Sequence, residues 1–121
     1  MANREEVGMD MEMIKLGENR ICIRLSGRLD APGADQIGVR FTAAAVSGSH
    51  DTIVDLSGVS FLGSMGIRLL ISSARAQDAK HAKLIVFGAQ ELVQNVFDQL
   101  ALDQILQIVA TEQDAFERLG T

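Results

Sequence analysis

The sequence predicts an α/β fold: a single domain in which a mixed, mostly parallel β-sheet of four to five strands packs with about four helices. Apolar, β-branched runs alternate with segments whose apolar residues recur at helical spacing, and this alternation is typical of parallel strands joined by helices. The first two runs are only a few residues apart, which predicts an antiparallel hairpin at one side of the sheet. We expect a flexible segment over residues 1–9 and the domain over 10–121.

The hairpin and the first helix come first in the chain. Strands are predicted over 11–16 and 21–25, the second of them stopped by Ser26-Gly27. Asp30-Ala-Pro-Gly33 opens a helix, because proline suits a first helical turn and aspartate suits the cap. Ser47-Gly48 ends this helix, and its buried stripe is Ala34, Ile37, Phe41 and Ala44.

The middle of the chain holds the third strand and the second helix. A β-branched run predicts a strand over 52–56, and a short polar loop leads from it to a helix over 64–79. The predicted core stripe of this helix is Ile67, Leu70, Ile71 and Ala74.

Four more elements complete the predicted fold. They are a strand over 84–87, a helix over 89–100, a short strand over 105–109 and a last helix capped by Thr111. The apolar residues expected to face inward are Leu92, Val93, Val96, Phe97 and Leu100 in the third helix and Ala115, Phe116 and Leu119 in the last.

Composition excludes several classes of function. The 121 residues, 47% of them hydrophobic, suffice for one core, and the single cysteine allows no internal disulfide. A net charge of −5 and the absence of Trp and Tyr argue against a nucleic-acid partner, which needs a basic patch or stacking rings. No apolar run reaches the roughly 20 residues that span a bilayer, and the polar N-terminus lacks a secretory signal. We therefore expect a cytoplasmic protein without membrane insertion.

Residues capable of catalysis or metal binding form no recognisable constellation. His50 and His81 are solitary and lie in predicted loops, which favours solvated side chains over metal ligands. Cys22 lies in a predicted strand and is interpreted as a small core residue rather than a nucleophile. The glycines around residue 64 follow no nucleotide-binding spacing. We expect no catalytic residue, no metal, no cofactor and no enzymatic activity.

The second helix is predicted to have a polar side with two apolar neighbours. At 100° per residue, the polar side consists of Ser64, Arg68, Ser72 and Arg75. Met65 and Leu69 flank it, and an exposed apolar pair beside a serine and an arginine indicates a contact patch. The alternative is that Met65 packs under the preceding loop.

Ser64 has two compatible interpretations. Serine is a preferred N-cap, a role worth about 1 kcal/mol. A hydroxyl at a helix N-terminus is also open to modification, because unpaired N–H groups and the helix dipole there stabilise a phosphate.

Two segments resemble the signatures of a known family. Asp55-Leu-Ser-Gly-Val-Ser-Phe-Leu-Gly-Ser-Met-Gly-Ile67 resembles the signature of the STAS domain, the family of the bacterial anti-sigma factor antagonists. Leu25-Ser-Gly-Arg-Leu-Asp30 resembles the second signature of that family, a strand followed by a turn into the first helix. The order of strands and helices matches from about residue 10 to the end of the chain.

The resemblance implies a partner-switching function. In that family the serine opening the second long helix is phosphorylated by a GHKL-type serine kinase that is also the anti-sigma factor. The unphosphorylated protein binds this kinase and frees the sigma factor, and a PP2C-type serine phosphatase resets the protein. By position, Ser64 would be the phosphoacceptor, and the partner-binding residues would be Asp30, Gly63, Ser64, Met65, Arg68, Leu69 and Ser72.

The chain departs from the family pattern beside the acceptor. Gly63 stands where switching members usually have Asp, and Met65 where they have Ser or Thr. The missing carboxylate removes a cap and a possible kinase contact, but also a charge that would repel phosphate. Two alternatives share the same surface: a STAS protein regulating a signalling enzyme or stress complex, and a non-catalytic STAS subunit bound constitutively to a transport ATPase. The departures favour the last.

Overall fold

Strands and helices alternate through the computed structural model, which describes residues 9–46, 48 and 50–120. The predicted flexible segment lies outside these residues except for Met9, which begins the first strand, and Ser47 also lies outside them. The elements are β1 (Met9–Lys15), β2 (Arg20–Leu29), α1 (Ala31–Val46), β3 (Asp51–Leu62), α2 (Ser64–Ala79), β4 (Leu84–Phe87), α3 (Glu91–Gln99), a 3-10 turn (Leu102–Gln104), β5 (Gln107–Val109) and α4 (Glu112–Leu119).

The five strands of the described part form one mixed sheet in the order β1-β2-β3-β4-β5. β1 pairs antiparallel with β2, and the remaining pairs are parallel. This confirms the predicted hairpin at one side and the predicted mixed sheet. Each parallel step needs a crossover, which α1, α2 and α3 supply.

The helices cover the two faces of the sheet unequally. Alternate residues of β2 and β3, such as Ile23 and Val54, pack with apolar residues of α1, α2 and α3. The opposite alternation, including Cys22 and Ile53, packs with Ala115 and Leu119 of α4. Cys22 is buried, as predicted.

β2 and β3 are both longer than predicted. β2 passes through Ser26-Gly27 instead of stopping there, and β3 includes the residues predicted to be a polar loop. The two segments pair with each other, from Ser26 opposite Gly58 to Leu29 opposite Leu62, with one register shift just before Ser26 and another after Gly27. Each segment supplies the hydrogen bonds of the other. The extension of either strand is therefore not predictable from its own residues alone.

The helix caps agree with the sequence, while some of the buried residues do not. Asp30 and Thr111 accept hydrogen bonds from the N–H groups of Gly33 (2.9 Å) and Asp114 (3.1 Å), as expected of caps. The predicted core stripe of α2 does face the core: Leu70 is fully buried, and Ile67, Ile71 and Ala74 are half-buried and pack against the core. The other buried residues of α2 are Gly66, Ser73 and Gln77.

Two expectations about burial are wrong. Leu92 and Leu100, predicted to face inward, are each 56% exposed: Leu92 lies in the first turn of α3, and Leu100 follows the end of this helix. In α1 the buried position is Ala45 rather than Ala44. His50 is half-buried, and one ring nitrogen lies 2.9 Å from the carbonyl oxygen of Ala44.

No helix among the described residues has the length and apolar character to cross a membrane.

Candidate functional site

The junction between β3 and α2 places Ser64 at the surface. The chain leaves β3 at Leu62 and turns at Gly63, whose backbone is extended (φ −107°, ψ −179°). The carbonyl of Gly63 accepts the first helical hydrogen bond from Ile67 N–H at 3.0 Å. Gly63 is therefore the N-cap, and the interpretation of Ser64 as the cap is wrong. Because β3 continues to Leu62, the helix begins at Ser64 itself.

The hydroxyl of Ser64 is exposed and makes no hydrogen bond to any of the described residues. The N-cap glycine has no side chain to offer, and the first turn of α2 contains no acidic residue. The N–H groups of that turn consequently have no side-chain acceptor. Such a helix start favours an anion through its N–H groups and its dipole.

Gly66 brings this helix start against the end of β2. A Cβ atom on Gly66 would lie 2.7 Å from the carbonyl oxygen of Leu29, so only glycine permits this approach. On the other side of the junction, Gly63 N–H donates to the same carbonyl at 3.0 Å. A Cβ on Gly63 would lie 3.8 Å from Cα of Asp30. Asp30, which ends the shorter sequence motif, and Gly63, which lies in the longer one, are thus neighbours.

Asp30 is held by two partners. Its Oδ1 accepts from Gly33 N–H at 2.9 Å, and its Oδ2 lies 3.3 Å from Nε of Arg28. The hydrogen bond from Gly33, followed by the Arg28 guanidinium, lowers the pKa of Asp30 below its ordinary value of 3.8. Its carboxylate therefore remains charged at neutral pH beside the start of α2.

Arg28 and Phe61 belong to this surface, and the sequence analysis missed them. The guanidinium carbon of Arg28 lies 4.4 Å from the centre of the Phe61 ring, and the two residues are paired across β2 and β3. A Cβ on Gly63 would be 3.2 Å from the Phe61 ring. Pairing of the ends of β2 and β3 brings these two residues together. Because the sequence analysis ended the second strand before Arg28, it could not predict this pairing.

The exposed side of α2 agrees with the prediction. Ser64, Arg68, Ser72 and Arg75 are all exposed. Met65 is 44% exposed, so it does not pack under the preceding segment, and Leu69 is half-buried. We call the surface formed by Ser64, Met65, Arg68, Leu69 and Ser72 the α2 face.

A groove between α1 and α2 unites most of the predicted partner-binding residues. It has a volume of about 340 Å³ and is bounded on the α2 side by four residues of the α2 face, Met65, Arg68, Leu69 and Ser72. Ala31, Ala34 and Asp35 of α1 form the other side. With Asp30 and Gly63 at the helix start, the predicted residues form one continuous surface. The geometry suits binding of a protein, with a modifiable hydroxyl at one end.

Asp55, the first residue of the longer motif, lies away from this surface. Its Oδ2 pairs with Arg24 Nε at 3.3 Å, and its Oδ1 accepts from Ser57 N–H at 2.9 Å. Arg24 also contacts Glu12 of β1 at 3.6 Å, which links three adjacent strands. This row stabilises the sheet. Among the described residues, no group of three or more His, Cys, Asp and Glu side chains is arranged to hold a metal ion.

Comparisons with known proteins agree with the predicted family. Residues 11–115 match the STAS domain family. The chain is 29% identical over 112 residues to an anti-sigma F factor antagonist of Lysinibacillus sphaericus, covering 92% of this chain and 95% of that protein.

Solved structures share the fold. An anti-sigma factor antagonist from Mycobacterium paratuberculosis superposes with a TM-score of 0.82 at 19% identity, over the whole of both chains. The antagonist SpoIIAA in its unphosphorylated form gives a TM-score of 0.73 at 24% identity, covering 90% of this chain and 95% of that one. Its phosphorylated form gives 0.67 at 24% identity, covering 90% and 98%.

Proposed function

We propose that this chain, which belongs to the STAS domain family, acts as an anti-sigma factor antagonist controlled by reversible phosphorylation of Ser64. Its partner in this proposal is a GHKL-type serine kinase that is also the anti-sigma factor, and a PP2C-type serine phosphatase restores the binding form. The chain acts in the cytoplasm as a binding module without catalytic activity. The names of its relatives, and the existence of SpoIIAA in two phosphorylation states, support this proposal.

The observation that carries the proposal is the free hydroxyl of Ser64 at the start of α2. It is exposed, it does not cap the helix, and it has no hydrogen-bond partner in the described part of the chain. A kinase can therefore reach it without disrupting any contact of the fold. The unpaired N–H groups of the first turn can then stabilise the added phosphate.

The direction of the switch follows from charge and desolvation. A phosphoserine carries about −1.5 to −2 charges at neutral pH. Binding requires the partner to desolvate Met65 and Leu69 of the groove, and Met65 is the residue next to Ser64. Desolvating a dianion without a compensating partner is costly. Phosphorylation should therefore weaken binding without a large conformational change.

Asp30 supplies a carboxylate near the position where this chain lacks one. Gly63 has no side chain, and a side chain there would meet the Phe61 ring. The charged carboxylate of Asp30 lies on the adjoining turn, in line with its proposed contact with the partner. The departure at Gly63 thus leaves a negative charge at this end of the surface.

The test uses the kinase recovered from the native host by wild-type and Ser64→Ala baits. The purified kinase and ATP should label the chain on Ser64, located by mass spectrometry, and calorimetry should give at least about tenfold weaker binding for the phosphorylated form. Ser64→Ala should abolish labelling, whereas Ser72→Ala, on the same face, should remain labelled. Equal affinity of both forms, or labelling at another residue, would contradict the proposal.

A second candidate is a non-catalytic STAS subunit bound constitutively to a transport ATPase or other signalling complex. Gly63 and Met65 favour it, because neither residue is the one usual in switching members of the family. It predicts that wild-type, Ser64→Ala and Ser64→Asp baits retain the same partners. Release of the kinase by Ser64→Asp alone would reject this candidate.

A further inference from the structure

We infer that the docking surface for the kinase continues from the α2 face along α1, and that Gly38 and Val39 are close contact points for an apolar helix of that partner. The identity of the partner rests on the proposed function. The placement of the surface rests on the geometry of α1 and α2.

The groove beneath the α2 face does not end there. A second groove of about 560 Å³ continues along α1 and shares Ala34, Asp35 and Leu69 with the first. Gly38 and Val39 line this second part. We call the combined feature the α1–α2 groove. A partner seated on Met65 at one end can therefore reach Val39 at the other without leaving the surface.

Gly38 is a glycine that the fold itself does not require. It lies in the middle of α1, where glycine is less stable than alanine because it loses more backbone entropy. A Cβ atom on Gly38 would meet nothing within 4 Å. By contrast, a Cβ on Gly33 of the same helix would lie 2.1 Å from the carbonyl oxygen of Arg28. The free space above Gly38 opens onto the groove and lets another backbone approach closely.

Val39 is the next residue, and it is 84% exposed. Among the described large hydrophobic residues that are exposed, it is the most exposed. A β-branched side chain lowers helix propensity, so Val39 contributes neither to the core nor to the stability of the helix. Together with half-buried Leu69 across the groove, it forms an apolar patch that a partner's side chain can contact.

The occupant is a helix of the same partner that binds the α2 face. Continuity of the groove with that face favours one partner over two. The backbone of the helix would approach at Gly38, and an apolar side chain would fit between Val39 and Leu69. Asp35 and Arg68 are exposed on opposite sides of the groove. This favours an occupant with an acidic residue toward α2 and a basic residue toward α1.

The test is calorimetric titration of the purified kinase with Gly38→Ala and Val39→Lys variants of the full chain. Gly38→Ala should raise the melting temperature by roughly 4 °C, yet weaken binding at least about tenfold because the added methyl occupies the groove. Val39→Lys should weaken binding similarly with unchanged melting. The matched controls lie on α3, where Asn95 and Leu92 are both exposed: Asn95→Ala and Leu92→Lys should bind as the wild type does.

The outcomes separate this inference from the proposed function. Wild-type binding by both α1 variants, with weaker binding of the Ser64-phosphorylated chain, would overturn the inference and leave the switch intact. Weaker binding by both α1 variants, with equal affinity of the two phosphorylation forms, would support the groove and reject the switch. Sedimentation equilibrium tests the other occupant: a wild-type dimer that Val39→Lys dissociates would assign the groove to a second copy and overturn the inference.

Discussion

At the scale of the residue, one carboxylate joins the end of β2 to the start of α1. Asp30 uses one oxygen for the Gly33 N–H and the other for Arg28, whose guanidinium also stacks on Phe61. The side chain that the resemblance assigns to partner contact is therefore also part of the fold. Substitutions of Asp30 will report on binding only where stability is measured in parallel.

The lowered pKa of Asp30 predicts how its contribution to stability depends on pH. A group whose pKa is lower in the folded state stabilises the fold above its unfolded pKa, and that contribution is lost as the pH falls through the folded pKa. Asp30→Asn keeps a capping oxygen but not the charge, so it should be less stable than the wild type at pH 7. Urea titrations at decreasing pH should show the difference closing below pH 3.8. A difference that persists at about pH 2 would assign it to packing instead.

At the scale of the element, α2 combines an exposed side, which we propose binds the partner, with an unusually polar buried side. Gln77 is fully buried and donates to His50 O (3.0 Å) and Thr52 Oγ1 (3.1 Å), which fastens the end of α2 to the start of β3. Ser73 is also buried, but its hydroxyl has no hydrogen-bond partner among the described residues. An unpaired buried hydroxyl is a cost to the folded state.

Ser73→Ala should therefore stabilise the protein. Removal of the unpaired hydroxyl and the better helix propensity of alanine should together add about 1 kcal/mol to the free energy of unfolding. Urea unfolding measures the change. The neighbouring Ser72→Ala is the control, because Ser72 is exposed and its hydroxyl bonds Leu69 O; its effect should stay within about 0.5 kcal/mol. Destabilisation by Ser73→Ala would indicate a partner for that hydroxyl.

Elements defined by local signals were predictable, and those defined by distant pairing were not. The limits of α2, the strand at 84–87 and the caps Asp30 and Thr111 follow from neighbouring residues, and the structure confirms them. The extension of β2 and β3 depends on pairing between segments about 30 residues apart, and local sequence patterns carry no information about such pairing. The α1–α2 groove depends on how two helices pack, so Val39 gave no signal within its own helix.

At the scale of the whole molecule, the fold keeps the proposed phosphorylation site apart from the core. The modifiable hydroxyl projects into solvent, while two residues further along Gly66 presses against Leu29. One helical turn thus contains a position that tolerates charge and a position that tolerates no side chain. A change in binding at this surface need not alter the rest of the domain.

Calorimetric melting of two variants tests this separation. Ser64→Asp should melt within about 2 °C of the wild type, because its charge lies at an exposed helix N-terminus. Gly66→Ala should lower the free energy of unfolding by roughly 1–3 kcal/mol and melt earlier, because its methyl group overlaps the Leu29 carbonyl. If Ser64→Asp melted as early as Gly66→Ala, loss of binding in the former would reflect unfolding rather than switching.

The burial of Cys22 has a consequence for the chemistry to which this protein can respond. Burial, followed by the nearby Asp55 carboxylate, raises the pKa of this thiol to about 11. At pH 8 only about one molecule in a thousand carries the thiolate, which is the form that reacts with peroxides and disulfides. Cys22 is the only cysteine of the chain. Oxidants should therefore react only slowly with the single cysteine of the folded protein.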